Sequence, residues 1–266
     1  MLGKLMVTHG SIVSKHSGTS GKNHLEKYGT SILHGHTHRL GVYYKRDVRG
    51  VPGVAEVDNA YLSPLGNYFI ADFADHYCER GQLGTDAKPC GYMVYDRSLT
   101  KGRGLLRISG HQDLALDAQG REVVVYQDID TDQISMLDLA SGKVTALWPI
   151  DFSHTSLGFH ISGRAFRRPG WAVVSTYNGG RPASHTWMDD QVFAIELKPK
   201  GRVVRLTHTH SVYDEKQEQD YWAEPHVSVN RDLTRILFTT NWGRSGTAEV
   251  EVFLIELPRD WTDRLP

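Results

Sequence analysis

Four polar side chains recur at one equivalent place in a repeated pattern: Asn59, Asp113, His160 and His226. Each opens a short alternating stretch that leads through a turn into an apolar run. The clearest copy is Glu224-Pro225-His226-Val227-Ser228-Val229-Asn230-Arg231-Asp232, followed by Ile236-Leu237-Phe238. A second runs from His111 to Gly120 and into Val123–Tyr126, and a third from Asp58 to Asn67 and into Tyr68–Ala71. The loosest begins at Gly158-Phe159-His160 and reaches Trp171–Ser175 through a longer Arg/Pro/Gly turn. A purely structural repeat would tolerate Ala, Ser or Val at the shared position. These four are instead groups that ligate metals or handle protons. Two positions ahead of Asp113 and His226 stand His111 and Glu224, a second polar tier.

Asn59, Asp113, Glu224 and His226 are the expected metal ligands, and their oxygens favour calcium. If His160 and His226 both ligate, manganese or zinc becomes the better choice. His160, His226 and His111 are the candidates for acid–base work on a water or substrate. His226→Ala and Asp113→Ala are each expected to abolish metal retention without altering the circular dichroism spectrum. Trp222, Trp242 and Arg244 are the expected substrate contacts, with Tyr221 and Trp187 nearby in the chain, because an aromatic rim suits an acyl chain or a sugar face. Arg164, Arg167 and Arg168 sit beside the third copy and could meet a carboxylate. The phosphate-loop-like stretch Gly18-Thr19-Ser20-Gly21-Lys22 has Asn23 where Ser or Thr belongs, and carries nothing.

Bringing four such distant residues together requires strands that radiate from one centre. From about Val51 the chain reads as units of four strands. The first is Asn59–Ser63, Tyr68–Phe73, Gly91–Tyr95 and Gly104–Ile108. The second is Gln112–Leu116, Glu122–Asp128, Ile134–Leu139 and Val144–Trp148, its last turn falling at Asp138–Lys143. A third runs Phe159–Ser162, Trp171–Tyr177, Gln191–Leu197 and Arg202–Thr207. The last offers His226–Val229, Arg235–Thr240 and Val250–Leu257. Repeated antiparallel meanders of this length mark propeller blades, which cannot bury both faces alone. The expected fold is all-β: a propeller of four to five four-stranded blades over residues 51–266. A short α/β segment, residues 1–50, would help close the ring through Leu40–Lys45.

Residues 51–257 resemble bacterial propellers of the oligogalacturonate lyase kind, on repeats such as Glu224-Pro225-His226-Val227-Ser228. That resemblance implies a manganese-type ion among channel histidines, although Asn59 and Asp113 stand at two comparable positions. Residues 4–45 resemble the closing third of a calcineurin-like metallophosphoesterase, on Thr8-His9-Gly10 and Gly35-His36-Thr37-His38. The resemblance would place His9, His36 and His38 at a two-metal site. The family's earlier motifs are missing, so the segment is expected to supply strands, and His36→Ala or His38→Ala should leave activity intact.

With 30 basic and 31 acidic residues the formal net charge is −1, which gives no footprint for nucleic acid or an anionic membrane surface. No apolar run approaches a membrane span, and Met1–Gly10 is too short and weakly apolar for a secretory signal. The chain is therefore expected in the cytoplasm; Cys78 and Cys90 flank a loop and could bridge, but two free thiols are the favoured reading in a reducing compartment. The expected function is metal-dependent hydrolysis of a small lactone or ester, such as an acyl-homoserine lactone. The analogy is architectural, to calcium-dependent propeller lactonases of the gluconolactonase and paraoxonase kinds. Polyuronate lyase action, a non-catalytic binding platform and residual phosphoesterase activity are the alternatives. The partner would be a small molecule, and the oligomeric state stays open.

Overall fold

The computed structural model describes residues 54–73, 78, 82–107, 111–179, 185–214 and 216–265, with only the backbone at 54–59 and in the strands at 5–9, 31–35 and 41–43. Two compact units divide between Ile108 and Ser109. In the first, seven strands form one sheet in chain order: β1 (Leu5–His9), β2 (Ser31–Gly35), β3 (Gly41–Tyr43), β4 (Val54–Leu62), β5 (Tyr68–Phe73), β6 (Gly91–Asp96) and β7 (Gly102–Leu106). β1 and β2 are parallel and the other neighbours antiparallel. β3, expected to close the ring, hydrogen-bonds β2 on one edge and β4 on the other. The helix expected near Leu25–Tyr28 lies outside the described residues.

The second unit holds three antiparallel meanders. They are β8–β11 (Gln112–Leu116, Glu122–Asp128, Gln133–Asp138, Val144–Pro149), β12–β15 (Leu157–Ser162, Trp171–Asn178, Gln191–Glu196, Val203–His208) and β16–β18 (Ser228–Val229, Arg235–Thr240, Glu251–Glu256). The chain is thus nearly all β, built from successive blade-like meanders. Among the described residues, no helix is long and apolar enough to cross a membrane.

Turn chemistry sets the meanders. Between β8 and β9, Asp117 accepts the backbone N–H groups of Gln119 and Arg121, both at 2.9 Å. Between β16 and β17, Asn230 accepts those of Thr234 and Arg235 at 2.9 and 3.0 Å. Between β4 and β5, Ser63 Oγ accepts the N–H of Tyr68 at 2.9 Å. A short side-chain acceptor therefore fixes each hairpin, and with it the register.

Burial then locks the sheets face to face. Ala115, Val123, Val125, Ile134 and Met136 of the first of these meanders pack on Phe159, Ile161, Val174, Phe193 and Ile195 of the second. The opposite face of that second sheet, with Val173, Val192 and Ala194, packs on Val229, Ile236 and Phe238 of the last. The strands that open the meanders touch in sequence, β8 to β12 and β12 to β16. That is the radial arrangement a propeller requires, within this unit. One glycine makes the first approach possible: a Cβ at Gly163 would sit 2.4 Å from the Leu114 carbonyl oxygen.

One expectation is overturned. Cys78 and Cys90 are joined in a disulfide, their Cα atoms 5.1 Å apart across a sequence separation of 12. The two sulfurs meet across twelve positions of sequence, a proximity that spacing alone does not reveal. Thiol titration of the native, unreduced protein should find no free thiol, since the sequence holds only these two cysteines. Cys90→Ser should cost about 2–3 kcal/mol in chemical denaturation.

Candidate functional site

His160 lies on β12, where its register partner is Ser175 on β13. Its neighbours Phe159 and Ile161 face the preceding meander, so alternation turns His160 towards the following one. There it meets the segment Glu224-Pro225-His226. Ser175 Oγ donates to the Pro225 carbonyl and accepts the N–H of Val227 at 3.2 Å. Thr239 Oγ1 donates to the Glu224 carbonyl at 2.7 Å and accepts the N–H of His226 at 3.2 Å. A tight turn from the His226 N–H to the Glu224 carbonyl, at 2.8 Å, bends this segment out of strand geometry. For that reason β16 begins at Ser228, two residues later than the alternation suggests.

His160 Nε2 lies 2.9 Å from Glu224 Oε2, and both side chains are largely enclosed. The His226 ring stacks on His160 with centroids 3.9 Å apart, and His111 meets His160 edge-on at 4.5 Å. His226 Nδ1 lies 2.9 Å from the Glu224 carbonyl oxygen. A carbonyl only accepts, so Nδ1 carries the hydrogen and Nε2 presents a lone pair. Among the described residues, His160, Glu224 and His226 form a group whose ligand atoms all lie within 4.8 Å of one another.

The electrostatics favour neutral His111 and His226 beside a charged Glu224. Burial pushes the Glu224 carboxyl up, but hydrogen bonds from His160 and Tyr177 and the nearby His226 more than reverse this, and the net shift is downward. Burial and the two neighbouring imidazoles push His111 down to about 4, against the pull of Glu224. His226 is lowered by burial and by His160. Tyr177 is held protonated by burial and by the Glu224 charge to which its hydroxyl donates.

These shifts have a measurable sign. A histidine whose affinity for protons is lower folded than unfolded favours the unfolded chain once the unfolded form begins to protonate. The metal-free protein should therefore be fully stable above about pH 6.5 and lose stability as pH falls from there towards 4. His111→Asn should flatten that slope in a series of thermal melts.

The other expected residues are placed as follows. Asp113 shares a face of β8 with Ala115, which points into the same core as Phe159. Its carboxylate accepts the Gly163 N–H at 2.9 Å and the Arg164 guanidinium at 3.0 Å, so it ties two meanders together apart from the histidine group. Asn59 sits on β4 opposite Asp72, in the other unit; its side chain lies outside the described residues. Trp222 is 65 % exposed, edge-on to Tyr221 at the end of a 3-10 turn, Glu218–Ala223, that runs directly into Glu224. Trp242 stacks on Phe253 at 4.8 Å and meets His210 at 4.5 Å. Arg244 is occupied: its Nε donates to the Asn241 carbonyl and its amines to Glu249 and Glu251. His9 lies on β1, known from its backbone alone; His36 and His38 fall outside the described residues.

Tyr177 was not legible as a site residue. One signal was available: Gly158, its register partner on β12, has no Cβ, and a Cβ there would come 2.1 Å from the Tyr177 ring. A strand glycine opposite an aromatic marks a place where that ring leans across the sheet.

No family model and no curated relative matches the chain. Among solved structures it is similar to an oligogalacturonate lyase in complex with manganese, at 14% identity and a TM-score of 0.48, over 83% of this chain and 54% of that one. A Vibrio parahaemolyticus oligogalacturonate lyase matches at 12% and 0.49, over 83% and 55%. A periplasmic gluconolactonase from Pseudomonas aeruginosa matches at 14% and 0.34, over 86% and 73%. The chain spans about half the length of the two lyases. The likeness of residues 4–45 to a metallophosphoesterase finds no support in these matches.

Proposed function

We propose that the chain is a metal-dependent hydrolase that opens a small lactone or ester at His160, Glu224 and His226. The observation that carries this reading is the convergence of two imidazoles and one carboxylate within 4.8 Å. A mixed nitrogen and oxygen set suits manganese, zinc or iron, whereas calcium prefers oxygens alone. Asp113, one of the oxygen ligands that favoured calcium, is engaged by Arg164 instead. When bound, a divalent ion there supplies Lewis-acid polarisation of a carbonyl oxygen and activation of a water.

The chain's own residues do the rest. Glu224 holds His160 in one tautomer, and the Glu224 carbonyl does the same for His226. His111, in edge contact with His160, is placed to take a proton from the attacking water and return it to the leaving alkoxide. Tyr177 braces Glu224 through its hydroxyl. Exposed Trp222, two residues before Glu224, offers an apolar wall for the substrate.

Polyuronate cleavage fits less well. It asks for free cationic groups, and both Arg164 and Arg244 are already paired with carboxylates. The test is turnover of a lactone and ester panel before and after chelation. Activity lost to chelator and restored by manganese or zinc is expected. A protein inert with either metal would instead be a binding platform.

A further inference from the structure

A second site lies on the middle meander of the second unit. A cavity of about 410 Å³ opens where the chain enters β14 and where β15 ends, with Trp187, Asp190, Arg205 and His208 among its walls and His185 at its rim. That volume is in the range of small-ligand pockets. None of these residues belongs to the group around His160.

Hydrogen bonds to the protein decide what each wall presents. Asp189 is spent: its carboxylate accepts from Thr155 Oγ1 at 2.7 Å, Asn178 Nδ2 at 2.5 Å, and Thr186 N and Oγ1 at 2.5 and 2.9 Å. Gln191 is spent as well, donating to the Asp189 and Asp190 carbonyls at 3.1 and 3.3 Å. Its Oε1 accepts Arg205 Nε and one amine at 3.2 and 3.1 Å, which fixes the guanidinium over the Trp187 ring at 6.0 Å. The second amine of Arg205 is not used in that brace.

The imidazoles are oriented too. His208 Nδ1 accepts the His210 N–H at 3.0 Å, so its hydrogen is on Nε2. His185 Nδ1 accepts the Asn178 amide at 2.9 Å, with the same consequence. Asp190 offers the opposite polarity. Its Oδ1 accepts the Asn178 N–H at 3.2 Å, and among the described residues no other hydrogen bond reaches this carboxylate.

Two imidazole N–H groups, a guanidinium amine and one carboxylate thus line the same cavity. The donors call for an oxyanion, and Asp190 calls for a hydroxyl on the same molecule. We propose that this cavity binds a small hydroxycarboxylate, its carboxylate on Arg205 and His208 and its hydroxyl on Asp190. Lactone opening yields products of this class, so the cavity would serve as a product or effector site. Its geometry does not depend on the reading of the His160 group.

The test is calorimetric titration of the full chain with D-gluconate, D-glucose, acetate and inorganic phosphate. Saturable binding of gluconate, tighter than the other three, is expected. Arg205→Gln and His208→Gln should each weaken it about tenfold or more, while His226→Ala leaves it unchanged. If Arg205→Gln fails to fold through loss of the Gln191 brace, His208→Gln decides alone. No saturable gluconate binding, equal binding of phosphate, or binding unaffected by the cavity variants overturns the proposal. Loss of gluconate binding in His226→Ala also overturns it, by moving the ligand to the other site.

Discussion

His160→Ala and His226→Ala are each expected to cut lactone or ester turnover by at least about a hundredfold. Both should co-purify without metal while keeping the wild-type circular dichroism spectrum. The reason is geometric. The two rings stack at 3.9 Å, the Glu224 carboxylate holding His160 and the Glu224 backbone carbonyl holding His226, so each imidazole is fixed by a partner of its own. Asp113→Ala separates this account from one drawn on the sequence alone. The sequence predicts loss of metal there. The structure predicts that metal stays and stability falls, because Gly163 N–H and the Arg164 guanidinium lose a buried acceptor.

The second large effect is on folding. Phe193→Ala should destabilise by about 3–5 kcal/mol in denaturant titration. The Phe193 side chain is fully buried and lies at the centre of the contact between the β8–β11 and β12–β15 meanders, where Trp187 also meets it edge-on at 5.3 Å. Removing it opens a cavity that strands on both sides are too tightly registered to fill. A substitution on the uncovered face of the last meander is the contrast. Leu254, 52 % exposed, should tolerate Leu254→Ser with little change.

Strands were the most legible feature, for a physical reason. Tyr68–Phe73, Glu122–Asp128 and Arg235–Thr240 each follow a turn whose side chain caps its own backbone; the apolar run Val123–Tyr126 is buried, whereas Arg235–Thr240, expected to be buried on both faces, alternates and leaves Leu237 exposed. Both signals are local. The site was legible only in part. The repeat singled out His160 and His226, which the structure brings together with Glu224, but repeat equivalence does not fix which partners a residue meets. His160 lies between two core residues of β12, whereas Asp113 lies in line with one on β8. Both side chains nevertheless turn towards the following meander, where Asp113 meets Gly163 and Arg164 while His160 meets Glu224 and His226. His111, in phase with Asp113 on that same face, is the residue of its pair that reaches His160.

What stayed hidden depended on contacts between distant segments. Tyr177 reaches Glu224 because Gly158 leaves room beside it, and Arg164 captures Asp113 because Gly163 lets β12 approach β8. The bond between Cys78 and Cys90 likewise depends on how the chain returns to β6. None of these is written in composition or period.

Electron spin-echo modulation of the manganese-loaded protein asks the central question directly. Two imidazole nitrogens coupled to one ion per chain are predicted, and no nitrogen-coupled manganese in His226→Ala. A spectrum without nitrogen coupling, or one unchanged in His226→Ala, would contradict a metal centre built from His160, Glu224 and His226.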